Sequence, residues 1–475
     1  MVTGKKDIYI TERKFREIWQ SREITKRKFL SENSEIIRVI YPGRPNDSQG
    51  ADFRDAVIIT DDKLRTGDVE FHLRSSDWWG HHHHLDPVYN RVILHVVRQH
   101  NSGTGTTLQN GHEIPVVVID DNSGLLPVRK GNPSEEQSST DLKCLKFTGC
   151  TGKENFLSDL DRAGKNRFLQ KAERFSSDIT DFGPGESLYR GIMEALGYSG
   201  NKDTFMELAR RVPLEFLEME KENEIPDETY LFNLQLLLLG KAGFLTGENM
   251  ERLCSAGLDR DLVKQMIGTF KLTDIYDTIP SGSWRLFRIR PCNSPFRRLA
   301  AMSYLLLKYR RTGLLKGMLY LIDSISDITK IRELEKDLVI MSGGNNSAFL
   351  GRNRAAEIIV NVLLPFIFAF GQNNDEPELS GKALALYTNY PALDMNSLIR
   401  HMVRQFGLSK KALNTAIRQQ GMIHIYKNLC TRGRCQECEL SEFKTGRDIQ
   451  GQPVNLSGLE PEEAARGDHG SIIGA

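Results

Sequence analysis

Apolar and polar residues follow two different rhythms along this chain, and the change falls near residue 150. Residues 11–22 (TERKFREIWQSR) are spaced as a helix: Phe15, Ile18 and Trp19 share a face, and Thr11 can cap its start. Residues 35–40 (EIIRVI) read as a strand that ends at the turn Pro42-Gly43. Residues 52–60 and 68–74 read as two more strands, joined by a segment containing Asp61, Asp62 and Gly67, as a hairpin loop should. Asp86-Pro87 supplies the cap and first turn of a short helix. Residues 92–97 (VILHVV) are mostly apolar, which is expected of a strand covered on both faces. Asn110-Gly111 marks a tight turn, and residues 114–119 read as another strand. The predicted order is helix, three strands, short helix, strand, strand, forming a mixed α/β core over residues 10–125.

Residues 121–143 are rich in Ser, Asn, Gly, Pro and Glu and lack apolar periodicity, so a linker is placed at 126–143. Beyond it the spacing becomes helical, as in Phe156/Leu160, Leu188/Ile192/Leu196 and Phe205/Leu208, with breaks expected at Pro184-Gly185, Pro213, Pro280 and Gly343-Gly344. The expectation is an all-helical domain over 144–444, closed by a cysteine cluster, and a disordered Gly-, Pro- and acid-rich tail over 445–475. The fold class is α+β.

Composition narrows this picture only slightly. With 475 residues there is room for two or three domains. The formal charge of +1 argues against a bulk polyanion binder but leaves a local basic groove open. The N-terminus carries no apolar stretch of signal-peptide length. The longest uncharged apolar run, residues 358–371, is about 14 residues where a membrane span needs about 20, so it reads as a buried helix and no membrane is expected. Seven cysteines without a secretion signal point to reduced thiols in a cytoplasmic protein of bacterial type.

The chemistry concentrates between residues 50 and 95. Strand periodicity puts Asp68, Glu70, His72 and Arg74 on one face of the third strand and turns Val69, Phe71 and Leu73 toward the core. A divalent cation would explain such a row: Mg²⁺ or Mn²⁺ held by Asp52 and Glu70 from adjacent strands could activate water and neutralise charge on a phosphodiester. A solvent-exposed face of cross-strand ion pairs is the alternative. Two registers are open. The preferred one sets Asp52, Arg54 and Ala56 beside Arg74, His72 and Glu70; a one-residue slip sets Asp55 opposite Glu70. His81, His82, His83 and His84 could give imidazoles to Zn²⁺, Mn²⁺ or Fe²⁺, with His83 and His84 as candidates, although adjacent histidines rarely all point one way. His95, in a very apolar strand, reads as a buried, hydrogen-bonded residue.

Two further features stand apart. Cys430-x4-Cys435-x2-Cys438 looks like a metal knuckle for Zn²⁺ or a [4Fe–4S] cluster that needs a fourth ligand; Cys150, Cys144, Cys292, Cys254 and His424 are candidates. Reduced, unliganded thiols are the alternative. Residues 284–298 (WRLFRIRPCNSPFRR) carry Arg285, Arg288, Arg290, Arg297 and Arg298 with Trp284, Phe287 and Phe296 among them, a pattern suited to phosphates and stacked bases. Arg167, Lys171 and Arg174 share a helix face and read at least as well as ordinary ion pairs.

The leading helix, three strands, short helix and further strand, with Asp52 and Glu70-Phe71-His72, resemble the core of the PD-(D/E)XK nuclease superfamily. The resemblance implies a restriction-endonuclease-like α-β-β-β-α-β core with Glu12 or Glu17 completing the metal shell. It also implies that His72 stands where a water-orienting lysine is usual, with Arg74 steadying the phosphate. Some nucleases of that superfamily carry an iron–sulfur cluster on one upstream cysteine and three near the C-terminus, which here would be Cys150 with Cys430, Cys435 and Cys438. A longer resemblance, carried by GDVEFHLRSSDWWGHHHHLDPVYNRVILHVV, ESLYRGIMEALGYSGNKDTFMELARRVP, RIRPCNSPFRRLAA and QQGMIHIYKNLCTRGRCQEC, is to the domain-of-unknown-function family 2851 over roughly residues 10–440. That family brings no function with it. The functional expectation is therefore a metal-dependent nuclease or related phosphodiester-processing enzyme. The alternatives are a non-catalytic nucleic-acid-binding protein with a degenerate nuclease core and a cysteine-bound structural Zn or Fe–S site, or an adaptor whose helical region binds another protein.

Overall fold

The computed structural model describes residues 12–20, 22–46, 49–61, 63–103, 105–119, 152–219, 225–272, 277–286, 289–325, 327, 330–342 and 348–438. The expected linker at 126–143, the expected tail at 445–475, and Thr11, Asp62, Cys144, Cys150, Phe287, Arg288 and Gly343-Gly344 lie outside the described residues. The chain forms two compact units. One takes in the chain up to Leu160, Met395–Ala412 and the chain from Met422; the other takes in Asp161–Asp394 and Leu413–Gly421. The class is α+β.

The first unit is built on a mixed sheet. Its strands are β1 (Lys28–Leu30), β2 (Ile36–Tyr41), β3 (Arg44–Pro45), β4 (Phe53–Thr60), β5 (Lys63–Arg74), β6 (Val92–Gln99) and, beyond the small hairpin β7 (Thr106–Thr107) and β8 (Glu113–Ile114), β9 (Val116–Val118). The spatial order is β1-β2-β4-β5-β6-β9, with β3 beside β4. The strands from β1 to β5 pair antiparallel, whereas β6 runs parallel to β5 and β9 parallel to β6. Ser31 bridges back to Val117, so the sheet curls toward closure. The short strands β1 and β3 and the β7–β8 hairpin were not visible in the apolar pattern, because two or three residues are too few to show a period.

One face of this sheet is covered by α1 (Glu12–Trp19). Phe15, Ile18 and Trp19 pack against Ile37, Val39, Phe53, Ile58, Val69, Phe71, Leu94 and Val96, all buried. Phe71 is the hub, with ring centroids 5.3 Å from Phe15 and 5.4 Å from both Trp19 and Phe53. Trp19 also donates its indole N–H to the Pro42 carbonyl (2.8 Å), which satisfies its one polar atom. The alternation in β5 falls as expected, with Val69 and Phe71 in this core and Asp68, Glu70 and His72 on the opposite face.

The register does not. Neither expected pairing is the observed one: Phe53 lies opposite Val69 and Ala56 opposite Gly67, with an irregularity between them. Asp55 takes a positive φ of 60° there. The bulge inserts backbone into β4 and brings Asp52, at the head of the strand, beside Glu70. Strand alternation alone could not reveal this, because a bulge breaks the two-residue period on which the expectation rested.

The opposite face is covered over β2, β4 and the start of β5 by C-terminal chain. His401, in the helix Ser397–Gln405, meets the Tyr41 hydroxyl at 2.7 Å, and the Tyr426 hydroxyl donates to Asp55 Oδ2 at 2.9 Å. Gly433, at φ +66°, lies so close to the sheet that a Cβ there would stand 3.0 Å from Val57 Cγ1 and 3.4 Å from Leu64 Cδ1. The cysteine turns therefore belong with the sheet unit, and the single helical domain expected over 144–444 is corrected accordingly.

Among its described residues the second unit is helical apart from connecting turns and a short hairpin of residues 340–341 and 348–350. Its breaks follow local chemistry. Gly183, at φ +81°, ends the helix Gly152–Phe182, and Pro184 opens the next, so the expected break at Pro184-Gly185 lies one residue earlier. Residues 358–371 lie in a buried helix as expected: the stretch Arg352–Asn373 is long and apolar enough to cross a membrane, and most of its apolar window is packed inside the unit. A π-turn at Ile359–Leu363 precedes Pro365, which has no N–H to return to the preceding turn.

Two consequences can be measured. Gly67 faces the parallel neighbour β6, and a Cβ there would stand 2.3 Å from Ile93 Cγ2 and 2.5 Å from the Arg91 carbonyl. Gly67→Ala should cost about 1–3 kcal/mol in urea unfolding; an unchanged midpoint would show that the β5–β6 approach accommodates a methyl group. Burial, reinforced by the charges of Arg44 and Arg404, pushes His401 down to about 3 from its ordinary 6.5. The unfolded chain binds that proton below pH 6.5 and the folded chain does not until about pH 3. Stability should thus fall as pH drops through this window, by up to about 1.4 kcal/mol per pH unit for one such group. His401→Gln should make the decline shallower, and parallel pH profiles for the two proteins would rule the assignment out.

Candidate metal centre on strand β5

The polar face of β5 gathers buried groups that cannot all be ordinary ion pairs. Asp68 has a cation and a backbone donor in reach, although burial still raises it: its Oδ1 accepts the Asp55 backbone N–H at 3.0 Å and lies 3.6 Å from Arg91, which also holds Asp55 at 3.0 Å. Asp52 is engaged at both oxygens, Oδ1 by Arg16 at 3.0 Å and Oδ2 by the Phe71 backbone N–H at 3.2 Å. Glu70 differs. Its Oε2 accepts the Asp52 backbone N–H at 2.9 Å, while its Oε1 faces His83 Nε2 at 3.4 Å and His72 Nε2 at 3.8 Å. Among the described residues, the only bases in ion-pair range of Glu70 are imidazoles.

Those imidazoles are held neutral. Burial, and then the neighbouring histidines, pull His72 down to about 2; burial also pulls His95 down to about 3 and lowers His83. The carboxylates move the other way. Burial raises Glu70 to about 8, and burial together with the charge of Glu70 raises Asp52 to about 7 against the opposing charge of Arg16. Raised that far, Glu70 keeps its proton at neutral pH unless a cation takes the proton's place beside the neutral nitrogen lone pairs.

Local structure explains how a histidine run delivers two side chains to one point. Residues Asp77–Gly80 make one helical turn, and the His81 N–H returns to the Asp77 carbonyl at 2.8 Å. His82 then adopts the left-handed region, φ 60° and ψ 26°, and starts a 3-10 turn at His83–Leu85. The reversal returns His81 and His83 to β5, with His83 half-buried and His81 exposed, and leaves the exposed His82 out of the cluster. His72, His81 and His83 each offer a ring nitrogen, and these atoms lie within 4.8 Å of one another. His72 Nε2 and His81 Nδ1 are 3.1 Å apart. His83 is held between the Tyr89 ring, stacked at 3.9 Å, and buried Trp78 at 5.3 Å. Behind His72, its Nδ1 meets His95 Nε2 at 2.9 Å, and His95 Nδ1 meets Thr106 Oγ1 at 2.9 Å. His95 is thus the buried, hydrogen-bonded residue expected, and it buttresses the cluster.

The other candidates fall in different places. His84 packs on Trp79, with centroids 4.5 Å apart, away from the cluster. Arg74 is exposed at the end of β5. On α1 the charges felt at Asp52 and Glu70 are those of Glu12 and Arg16; of the two expected acids, Glu12 is the one felt there, and Glu17 is half-buried. Arg16 is the residue that sequence reasoning missed; its spacing of four from Glu12 was the available signal. Cys430 and Cys438 are buried and Cys435 half-buried, in and just after the turns Cys430–Arg432 and Cys435–Glu437, while Cys150 lies outside the described residues.

The basic segment is largely structural. Trp284 and Phe296 are core residues, not the free stacking surfaces expected. Arg297 donates to the Ala348 carbonyl at 2.9 and 2.7 Å. Arg298 is buried and donates to the Phe349 carbonyl and to Asn293 Oδ1. Arg285 and Arg290 are exposed, and Arg288 is outside the described residues. Arg167, Lys171 and Arg174 are likewise bonded, to Gln420, Asn361 and Glu194.

The model of a family described as a protein of unknown function (DUF2851) matches residues 12–396, so the chain belongs to that family. No curated protein and no solved structure matches it.

Arg16 is 39% exposed, so its pair with Asp52 should contribute little. A double-mutant cycle of Arg16→Met with Asp52→Asn should return a coupling of at most about 1 kcal/mol in unfolding. A much larger coupling would mean that Arg16 is the principal partner of that carboxylate and not an adjustable one.

Proposed function

We propose that this DUF2851 member is a metal-dependent hydrolase of phosphodiester bonds, a nuclease, with its reaction centre at Glu70. The observation that carries the reading is the environment of that carboxylate. It is buried on a central strand, fixed at one oxygen by a backbone N–H, and faced at the other by imidazole nitrogens at 3.4 and 3.8 Å. A divalent cation seated there would polarise water for attack and neutralise charge developing on a phosphate. Arg16, partly exposed beside Asp52, is suited to receive a phosphate oxygen in exchange for its carboxylate.

The phosphodiester as substrate draws support from the arrangement of the core. A leading helix, antiparallel β2, β4 and β5, then parallel β6, with Asp52 heading β4 and Glu70-x-His72 on β5, is the order that a restriction-endonuclease-like core would have. The departure at His72 has a consequence. Both its nitrogens are engaged, with His95 and His81, so it does not replace a mobile lysine as the base. Water activation then falls to the cation and Glu70. The same departure favours the second reading, a non-catalytic nucleic-acid-binding protein with a degenerate nuclease core and a cysteine-bound structural metal.

Full-length protein should cleave labelled single- or double-stranded DNA or RNA with an added divalent ion and not with chelator. Glu70→Gln should lower the rate at least about 100-fold. It should leave the melting temperature of the metal-free protein unchanged or raised, because the lost carboxylate has no guanidinium or ammonium partner among the described residues. Cleavage by Glu70→Gln at the parental rate, or no cleavage with any divalent ion, would refute the reading.

A further inference from the structure

We propose that the ion at this centre is a nitrogen-ligated first-row transition ion of the Zn²⁺ class. It would be held by His72 Nε2, His81 Nδ1 and His83 Nε2 with Glu70 Oε1 beside them, and not a Mg²⁺ ion held between Asp52 and Glu70. The inference rests on the reading above for its catalytic meaning, but its geometry stands alone.

Around a tetrahedral ion with metal–nitrogen bonds of about 2.0–2.1 Å, neighbouring donor atoms lie about 3.4 Å apart. The separations here bracket that value: 3.1 Å for His72 Nε2 to His81 Nδ1, 3.4 Å for His83 Nε2 to Glu70 Oε1 and 3.8 Å for His72 Nε2 to Glu70 Oε1. The three imidazole donors fall within 4.8 Å of one another, so small ring rotations close the set. Mg²⁺ seeks carboxylate oxygens and water, and of the carboxylate it would share with Glu70, Asp52, one oxygen accepts the Phe71 N–H and the other faces Arg16. Borderline-soft ions prefer the imidazoles that dominate here.

The residues behind the cluster fit the same assignment. The chain Thr106–His95–His72 admits two proton arrangements. In one, His72 Nδ1–H donates to His95 Nε2 and His95 Nδ1–H donates to Thr106 Oγ1, which leaves the His72 Nε2 lone pair aimed at His81 and Glu70. That is the arrangement a ligating imidazole requires, with its second nitrogen fixed by an outer partner. Trp78 and Tyr89 fix His83 by ring contact. His81 alone is exposed, so the centre opens to solvent on that side. With three imidazoles as ligands a coordination position stays open and Glu70 can accept the proton of an attacking water; with Glu70 as a fourth ligand the site is closed and structural.

Chelator-treated full-length protein titrated with Co²⁺ tests the assignment. The expected result is one equivalent bound with the intense visible bands of tetrahedral cobalt, displaced by Zn²⁺ and not by excess Mg²⁺. His81→Gln and His83→Gln, each checked for an unchanged melting temperature, should each weaken binding by more than the about 10–100-fold expected for Thr106→Val, an outer partner. His82→Gln and Cys435→Ser should leave this signal intact; Cys435→Ser separates it from any cobalt held by the cysteine turns. Absent bands, or bands undiminished in a His81→Gln/His83→Gln protein, would overturn the inference. Cobalt binding without nucleic-acid cleavage sinks the proposed function and spares this site. Mg²⁺-supported cleavage undiminished in the double variant does the reverse.

Discussion

A carboxylate placed in the interior must find compensation, and the compensation offered to Glu70 consists of one backbone N–H and several neutral imidazoles. Its neighbours on the same sheet each have a guanidinium in reach, Asp68 that of Arg91 and Asp52 that of Arg16, although burial still raises both. The sheet thus contains its own controls. Three acids lie close together in space, and Glu70, as buried as Asp68, is the one with no guanidinium in ion-pair range among the described residues. The remaining construction follows from that. His72 is pinned by His95, His83 is clamped by Trp78 and Tyr89, and His81 is returned by the reversal at His82.

The scaffold suits such precision. Glu70 and His72 sit on a central strand whose other face, through Phe71, is locked into the aromatic cluster of Phe15, Trp19 and Phe53. Side chains on a strand packed on both sides have little freedom, and donor groups need placement within a fraction of an ångström to share an ion. The bulge at Asp55 is part of the same device. It draws the head of β4 toward β5, so that the Asp52 N–H reaches Glu70 and the Asp52 carboxylate reaches the Phe71 N–H.

The arginines teach a contrary lesson about charge. The segment 284–298 reads like a phosphate-binding loop, yet Arg297 and Arg298 serve backbone carbonyls of the hairpin strand Ala348–Leu350, and the interleaved Trp284 and Phe296 are core. Buried arginine can satisfy carbonyls that regular structure leaves unpaired. A basic stretch with aromatic neighbours is therefore ambiguous until its partners are known.

Local pattern was enough to locate α1, most of the longer strands, the apolar helix through residues 358–371 and the polar face of β5, because each depends on periodicity among residues close in the chain. It was also enough to mark Glu70, His72 and the histidine run as chemically dense. It could not give the β4–β5 register, since one bulged residue at Asp55 cancels the alternation on which register is read. It could not sort His81 and His83 from His82 and His84, since that depends on a left-handed residue at His82. Nor could it bring His95 behind His72 or lay the cysteine turns on the sheet, because those contacts join residues far apart in the chain. Composition and spacing chose the ingredients; long-range packing decided which of them meet, because backbone reversals and strand partners are set by the whole fold and not by neighbours in sequence.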